Sequence, residues 1–412
     1  MLLLGCLWTP LLFAQALPDT SGTEQGVVLV FDPDSLVSPR DSLLAEDVHP
    51  QDAPSERGFF IMTSDGRAKL RIQGSIRLYG AYDLNGLQTR DFFEIFEIPV
   101  GDDNNTEPRF FMTASQTRFG VAADMDEALL KLEGDFRGAP NTANFRIRHA
   151  YAALEHILVG QTWSVFSDVS AIPLTVEGEG PPNSATERTV QVRVRGKLFD
   201  GRASWAAAVE SPGVDIAAPD TLQLEPAFQS FPDFTARIRR GGEWGHLQLA
   251  GLGRSITVRE QSGELNYLAG WGFLFSGTIW FTSSNQILFE LVGGKGISRY
   301  ISGVTGRGLD VAWNPAAQEF ETIPILGASL SFSKNWHPNW FSYLTLGTTG
   351  VENKDFEPDS AFSNGQYLAV SLFYERIAGR RIGVEYNRGR RENKDGQTGT
   401  ANRISFSLVY DF

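Results

Sequence analysis

The protein is a chain of 412 residues in which glycine (42 residues) and phenylalanine (29 residues) are abundant and aromatic residues make up 12%. This composition favours strands and turns over helices, and the absence of any run of 18 apolar residues after the N-terminal segment excludes a helical membrane protein. The single cysteine excludes a disulfide scaffold and a cysteine-based zinc site, and the net charge of −13 argues against a general nucleic-acid-binding protein.

The first element is an apolar segment over residues 2–14, which ends in the small-residue sequence Ala14-Gln15-Ala16. This pattern predicts a secretory signal peptide over residues 1–16, although no Lys or Arg precedes the apolar run. If Cys6 is removed with this segment, the mature chain has no cysteine, which suits an oxidising envelope compartment.

Residues 17–57 form a second region with nine acidic and two basic residues, a net charge of −7. Five prolines in this region would break any long helix; they are Pro18, Pro33, Pro39, Pro50 and Pro54. We interpret the region as a flexible, acidic, periplasmic leader. A short periplasmic assembly element is the alternative.

From residue 67 the polarity alternates with period two. Over residues 67–83 the even positions are apolar or glycine apart from Tyr82, and the odd positions are mostly basic or polar. The pattern indicates a long strand with one apolar and one basic face. It recurs along the chain and predicts 16 strands, over residues 67–82, 109–122, 127–137, 144–155, 157–164, 187–198, 202–210, 232–240, 245–259, 265–281, 285–298, 319–333, 340–351, 365–377, 380–391 and 401–412.

The connections between these strands alternate mainly between short turns and longer loops, which is typical of an outer-membrane barrel. A closed sheet is the only strand structure that pairs every backbone group in lipid. We therefore predict an all-β fold, a transmembrane antiparallel β-barrel of about 16 strands over residues 58–412. The even strand count places both termini at the periplasmic side of a bacterial outer membrane.

The last strand ends in alternating apolar residues that finish with Tyr410 and Phe412. This ending resembles the signal by which the barrel assembly machinery recognises outer-membrane proteins. Four tryptophans lie beside predicted periplasmic turns and suit an aromatic girdle, with ordinary core residues as the alternative: Trp244, Trp280, Trp336 and Trp340.

Five segments carry a resemblance to a known family: FFMTASQTRFGV (110–121), KLEGDFRG (131–138), FRIRHAYAAL (145–154), the run from LVGQTWS into a Pro/Gly-rich loop (158–183) and PDFTARIRRGGEWGHLQLAGLGR (232–254). In this order they resemble the DcaP-like outer-membrane porin family, clearly over residues 58–260 and by pattern beyond. The resemblance implies a trimeric, 16-stranded porin that passes small anionic solutes, with dicarboxylates as the named class. Since residues 17–57 lack the coiled-coil heptads of better-known members, trimer contacts are expected through the barrel walls.

Loop 164–187 follows the fifth predicted strand, the position at which general porins fold a loop into the lumen. It carries Asp168, Glu177 and Glu179. We predict that this loop folds inward as the constriction. The alternative is an extracellular loop.

The polar face of the first eight strands is rich in bases. Its middle positions are Arg77, Arg118, Lys131, Arg148, Arg193 and Arg237, with Arg71, Arg146, Arg195 and Arg239 one step above or below. Rings of Arg and Lys favour anions in pores, so these residues are the predicted pore lining. Alternatively, these bases pair with acids on the same face and only balance charge on a water-exposed wall; the acids are Glu133, Asp135, Glu210 and Glu385.

The sequence thus predicts a passive porin for small anions, with outer-membrane lipid and lipopolysaccharide around it. The alternative is a structural or adhesive barrel with a closed lumen; the polar face argues against a hydrophobe transporter. No catalytic, cofactor-binding or metal-binding residue is predicted. His149 is placed on the apolar face of its strand, and the acids of segment 102–107 are interpreted as a solvated loop rather than a calcium site.

Overall fold

A computed structural model describes residues 58–63, 65, 67–85, 87, 89, 91–101, 107–125, 127–138, 143–217, 228–260 and 263–412, together with the strand Val27–Val30 and His49. The predicted signal peptide (1–16), nearly all of the predicted leader (17–57) and the acids at positions 102–105 lie outside the described residues.

Sixteen antiparallel strands form a closed barrel. They are β1 (Ala68–Asn85), β2 (Arg109–Thr113 and Arg118–Met125), β3 (Ala128–Asp135), β4 (Arg146–Ala153), β5 (Ile157–Trp163), β6 (Arg188–Leu198), β7 (Ala203–Glu210), β8 (Asp233–Gly242), β9 (Gly245–Arg259), β10 (Leu265–Thr282), β11 (Asn285–Lys295), β12 (Pro324–His337), β13 (Trp340–Val351), β14 (Phe362–Ile377), β15 (Arg380–Asn393) and β16 (Thr398–Asp411). Each pairs with the next, and β16 pairs with β1 from Asp411↔Ser75 to Asn402↔Asn85. The predicted strand count and fold class are confirmed.

One predicted strand is wrong at its start. Residues Glu319–Thr322 belong to a small side sheet with Ile216–Ala217 and Val311–Asn314, and the barrel strand begins only at Pro324. Period-two alternation runs through both segments, so it cannot show where the chain leaves one sheet and enters another.

The alternation sorts the side chains between lipid and lumen. Ile76, Phe119 and Leu132 lie on the outer face and are more than half exposed, whereas Arg77 and Tyr79 point inward and are buried. Outward apolar and inward polar side chains are what a barrel in lipid requires.

The two rims of the barrel differ. Connections of two to four residues close one end, here the short-turn rim, and the other end, the loop rim, carries mostly longer connections. The strand Phe59–Thr63 pairs with β1 over Lys69–Ile72, just beyond the end of β16, so the N-terminal part enters at the short-turn rim. The described helices are the single turns Ile95–Glu97, Val169–Ala171 and Ser298–Tyr300, and none of them is long enough to cross a membrane.

The main hydrophobic core lies inside the barrel, towards the loop rim. Phe93 and Ile98 from the β1–β2 loop, Phe166 from the β5–β6 loop and Tyr300 from the β11–β12 loop pack there against wall residues such as Leu274. Three loops therefore fold into the lumen, and the β5–β6 loop (residues 164–187, here the inward loop) is the predicted one.

Candidate pore

Three carboxylates on the barrel wall hold the backbone of the inward loop. Glu210 on β7 accepts hydrogen bonds from Ser164 Oγ (2.8 Å) and the Val165 amide (2.9 Å). Glu290 on β11 accepts from the Ala185 amide (2.7 Å), and Glu385 on β15 from the Val176 amide (3.2 Å). These hydrogen bonds fasten the loop near its start, middle and end.

Asp168 is a further anchor of this loop. Its buried carboxylate lies 2.8 Å from His246 Nε2, 3.0 Å from Arg239 Nη1 and 2.7 Å from Ser276 Oγ. Burial alone would raise the pKa of Asp168, but the His246 hydrogen bond and the Arg239 charge hold it well below its ordinary value. This loop acid is thus neutralised by direct partners on β8 and β9.

Glu179 and Glu177 connect the inward loop to its neighbours. Glu179 lies 2.9 Å from Arg137 and 3.7 Å from Arg146; although burial opposes ionisation, these arginines lower its pKa to about 2. Glu177 accepts a hydrogen bond from the Phe93 amide (2.6 Å) of the β1–β2 loop. Burial, followed by the charge of Glu385, raises the pKa of Glu177 to about 8.

On β3 and β4 the inward bases pair with acids. Arg148 lies 3.2 Å from Glu133 and 3.0 Å from Asp135, Arg146 lies 2.8 Å from Asp135, and Lys131 lies 3.3 Å from Glu133. These ion pairs match the alternative in which the bases balance the charge of acids on the same face. Glu210 and Glu385, by contrast, hold the inward loop.

Arginines dominate the lumen face of β6 and β8. The register places Arg195 and Arg237 on either side of Ala206, and Arg193 beside Ala208. Arg193 Nε donates to Gln191 Oε1 (2.9 Å), and Arg239 binds Asp168 as described above. Beside these bases β7 contributes Ala206 and Ala208, which add no opposing charge, while its acid Glu210 holds the inward loop.

A second basic row crosses β1, β2 and β3. Arg71 lies opposite Ala122, and Ala122 lies opposite Lys131. Arg77 also points inward and donates from Nε to Ser75 Oγ (2.8 Å). Arg118 on β2 lies opposite Asp135 on β3. The predicted pore-lining bases therefore lie on the inner face; that they line the conducting path stays a prediction.

A family comparison fits this architecture. The model of the family described as DcaP outer membrane protein matches residues 60–412.

The chain belongs to the DcaP outer membrane protein family.

Solved structures agree with this membership. The outer membrane channel DcaP of Acinetobacter baumannii superposes with a TM-score of 0.74 at 22% identity, covering 85% of this chain and 99% of that one. An anion-selective porin from Comamonas acidovorans gives a TM-score of 0.55 at 11% identity, covering 84% of this chain and 100% of that one. Salmonella typhi OmpF in complex with daunomycin gives a TM-score of 0.54 at 10% identity, covering 84% of this chain and 98% of that one. At these identities the likeness shows the fold. No curated protein matches the sequence.

Family and fold together give an outer-membrane barrel of the porin type. The DcaP membership places this chain in the outer membrane, and its barrel has the fold of outer-membrane channels. Among the described residues, no group of three or more His, Cys, Asp or Glu side chains could hold a metal ion.

The sequence placed one residue on the wrong face. A β-bulge in β4 puts Arg148 between the pairs Gly134↔Ile147 and Glu133↔His149, so that both Arg148 and His149 point inward. His149 is 3% exposed, and its Nδ1 lies 3.0 Å from Thr162 Oγ1. A bulge adds one residue and shifts the alternation, which the pattern alone does not reveal.

Sequence reasoning also missed the bases that fasten the other two loops. Arg403 on β16 binds Asp83 (2.6 Å) and donates to the carbonyl of Thr89 (2.8 Å) in the β1–β2 loop. Arg254 on β9 donates to the carbonyl of Gly296 (2.6 Å) in the β11–β12 loop. The alternation of polarity along each strand places both arginines on the inner face, and that much could have been predicted. Their partners in the loops are distant in sequence and could not.

Where the three folded loops meet β4, a cavity of about 210 Å³ remains near the loop rim. Arg146, Arg188 and Arg299 line it together with Glu179 and Glu187. Arg299 lies 3.2 Å from Glu187, so part of the lining charge is paired. The lining of this cavity is therefore of mixed charge, and the bases of the two rows lie on the wall strands.

Proposed function

We propose that this chain forms a passive channel that favours small anions, with dicarboxylates as the first class to test. The observation that supports it is the pair of basic rows on the inner wall, Arg195–Ala206–Arg237 and Arg71–Ala122–Lys131. In each row a small uncharged residue separates two bases. Lys131 also pairs with Glu133 (3.3 Å), so positive charge accumulates mainly along the row Arg195–Ala206–Arg237.

The choice of arginine suits carboxylate-bearing solutes. A guanidinium stays charged at any physiological pH and presents a planar set of donors that matches a carboxylate. In a water-filled pore with low-dielectric walls, the charge near the pore, rather than the net charge of −13, sets the electrostatic potential that a small ion meets. A dianion with two carboxylates could contact both arginines of one row in turn.

The proposal includes the membrane setting. The termini are periplasmic, the chain forms a homotrimer through its barrel walls, and lipopolysaccharide surrounds the loop rim. The barrel assembly machinery recognises Tyr410 and Phe412; the exchange of backbone hydrogen bonds between Phe412 and Gly74 (2.9 Å each) supports a role of this end in closing the barrel.

The test is a charge reversal within one row. In planar bilayers under a salt gradient, R195E/R237E is expected to lower the chloride-to-potassium permeability ratio several-fold, because two positive charges become negative. The control is R388E/R390E, which makes the same change on the outward face of β15. Equal ratios in wild type and R195E/R237E would contradict the proposal. Block by succinate that the same variant relieves would support the dicarboxylate class.

A second candidate is a structural barrel whose lumen is closed. One observation favours it: the β1–β2, inward and β11–β12 loops share a continuous hydrophobic core inside the barrel. A folded, membrane-inserted protein without measurable conductance would select this alternative.

A further inference from the structure

The outer face carries a groove close to the short-turn rim, between β7, β8, β9 and β10. Its volume is about 470 Å³, and its apolar lining includes Ile238, Leu247, Leu249 and Phe275. Ile238 and Leu249 are 44% and 57% exposed, as expected for side chains that face lipid. The groove is thus separate from the pore.

Strand register explains why a groove forms here. One row across the wall reads Trp205, Ile238, Leu249 and Phe275, all large. The next row towards the rim contains Ala203, Arg240 and Leu247, and Ala203 is too small to fill the space beside its large neighbours. A depression with an alanine floor results.

Two arginines border the groove at its rim end. Arg202 lies in the turn between β6 and β7, and Arg240 on β8 lies next to Ala203 in the sheet. Both side chains are exposed. The acids nearest in sequence are Asp200 and Glu243, which lie in the adjoining turns.

The height of these arginines is that of lipid headgroups. Trp244, in the turn that follows Arg240, is 40% exposed, and tryptophan at a barrel rim marks the membrane interface. A basic pair at the interface above an apolar groove matches a lipid with a phosphate head and an acyl chain.

We propose that this groove binds one membrane glycerophospholipid, with its phosphate between Arg202 and Arg240 and an acyl chain along Ile238, Leu249 and Phe275 over Ala203. Because both arginines carry full positive charge, a headgroup of net negative charge binds more tightly than a zwitterionic one. The site prefers phosphatidylglycerol to phosphatidylcholine. This site is independent of the pore and of its selectivity.

Native mass spectrometry of the detergent-solubilised barrel tests the proposal. Wild type is expected to retain phosphatidylglycerol at least fivefold more than phosphatidylcholine, and R202Q/R240Q to lose that preference. A203L, which fills the groove, is expected to reduce retention of both lipids. The control R388Q/R390Q removes two outward arginines from the loop-rim half of β15 and is expected to keep the preference.

Three results would overturn the proposal: equal retention of the two lipids by wild type, an unchanged preference in R202Q/R240Q, or an equal loss in the control. A change of oligomeric state in A203L without a change in lipid retention would show that the groove is an interface between copies instead. Heat-modifiable migration on gels verifies that each variant is a folded barrel before it is compared.

Discussion

Arg195 and Arg237 illustrate how a barrel wall can concentrate charge. They lie on separate strands, and the residue between them is Ala206, which is buried and offers no polar atom. On β3 and β4, by contrast, Glu133 and Asp135 alternate with the bases and neutralise them. The identity of the residue between two bases therefore decides whether a row attracts anions or only satisfies the wall.

Placing an acid between the two arginines should cancel the row without removing either base. In A206E the new carboxylate is expected to pair with Arg195 and Arg237 and to lower anion preference in bilayer recordings. A206Q is the control, since it has nearly the same size and no charge. If A206Q lowers the preference as much as A206E, bulk rather than charge explains the effect.

Glu177 predicts a dependence on alkaline pH. Burial raises its pKa to about 8, so the folded protein favours the neutral carboxyl group. The contribution of this group to the stability of the fold is complete below the ordinary carboxyl pKa and is lost as pH rises through about 8. Ionisation would place a charge beside Glu385, with Arg403, Arg137 and Tyr79 as the other ionisable neighbours. We expect current noise to rise between about pH 7 and about pH 9.

The variant E177Q should remove this pH dependence, because a neutral amide can still accept the hydrogen bond from Phe93. E352Q, which changes an exposed acid at the loop rim, should leave it intact. Noise in E177Q that still rises over the same interval would assign the effect to another group.

At the scale of elements, the inward loop is held to the barrel wall by hydrogen bonds at separate points along its length. Glu290 accepts a hydrogen bond from the Ala185 amide, so E290A leaves that buried N–H without its acceptor at a cost of about 1–3 kcal/mol. We expect E290A to keep the barrel folded and to increase protease cleavage within residues 164–187. An unchanged cleavage rate would show that the remaining anchors suffice.

Strand pairing depends on a few glycines with unusual backbone. Gly160 in β5 has φ +123°, and a Cβ there would collide with the carbonyl oxygen of Ala150 on β4. G160A should therefore lower the midpoint of thermal unfolding of the purified barrel. G251A is a matched control, since nothing lies within 4 Å of the added carbon. Equal midpoints for the two variants would refute a special role for Gly160.

Local pattern was sufficient for most of the barrel and insufficient for contacts distant in sequence. Period-two alternation located the strands because lipid and lumen impose opposite polarity on neighbouring residues. It failed at His149, where a bulge shifts the faces, and at Glu319–Thr322, where a side sheet alternates in the same way. The loop anchors Glu290, Arg254 and Arg403 could not be assigned because their partners depend on how the loops fold.

At the scale of the whole molecule, the closing pair of β16 and β1 completes the sheet. Phe412 exchanges backbone hydrogen bonds with Gly74, and its ring packs beside that glycine. We expect deletion of Phe412 to reduce the amount of barrel in the outer membrane more than it reduces folding of purified protein in detergent. Equal losses in both assays would indicate a structural role alone rather than recognition by the assembly machinery.

The central claim, an open channel that prefers anions, is tested most directly by the reversal potential of the purified wild-type protein in a planar bilayer under a potassium chloride gradient. The account predicts preference for chloride that weakens as the salt concentration is raised from about 0.1 M to about 1 M, because salt screens the basic rows. Preference for potassium, or no conductance from inserted and folded protein, would contradict it.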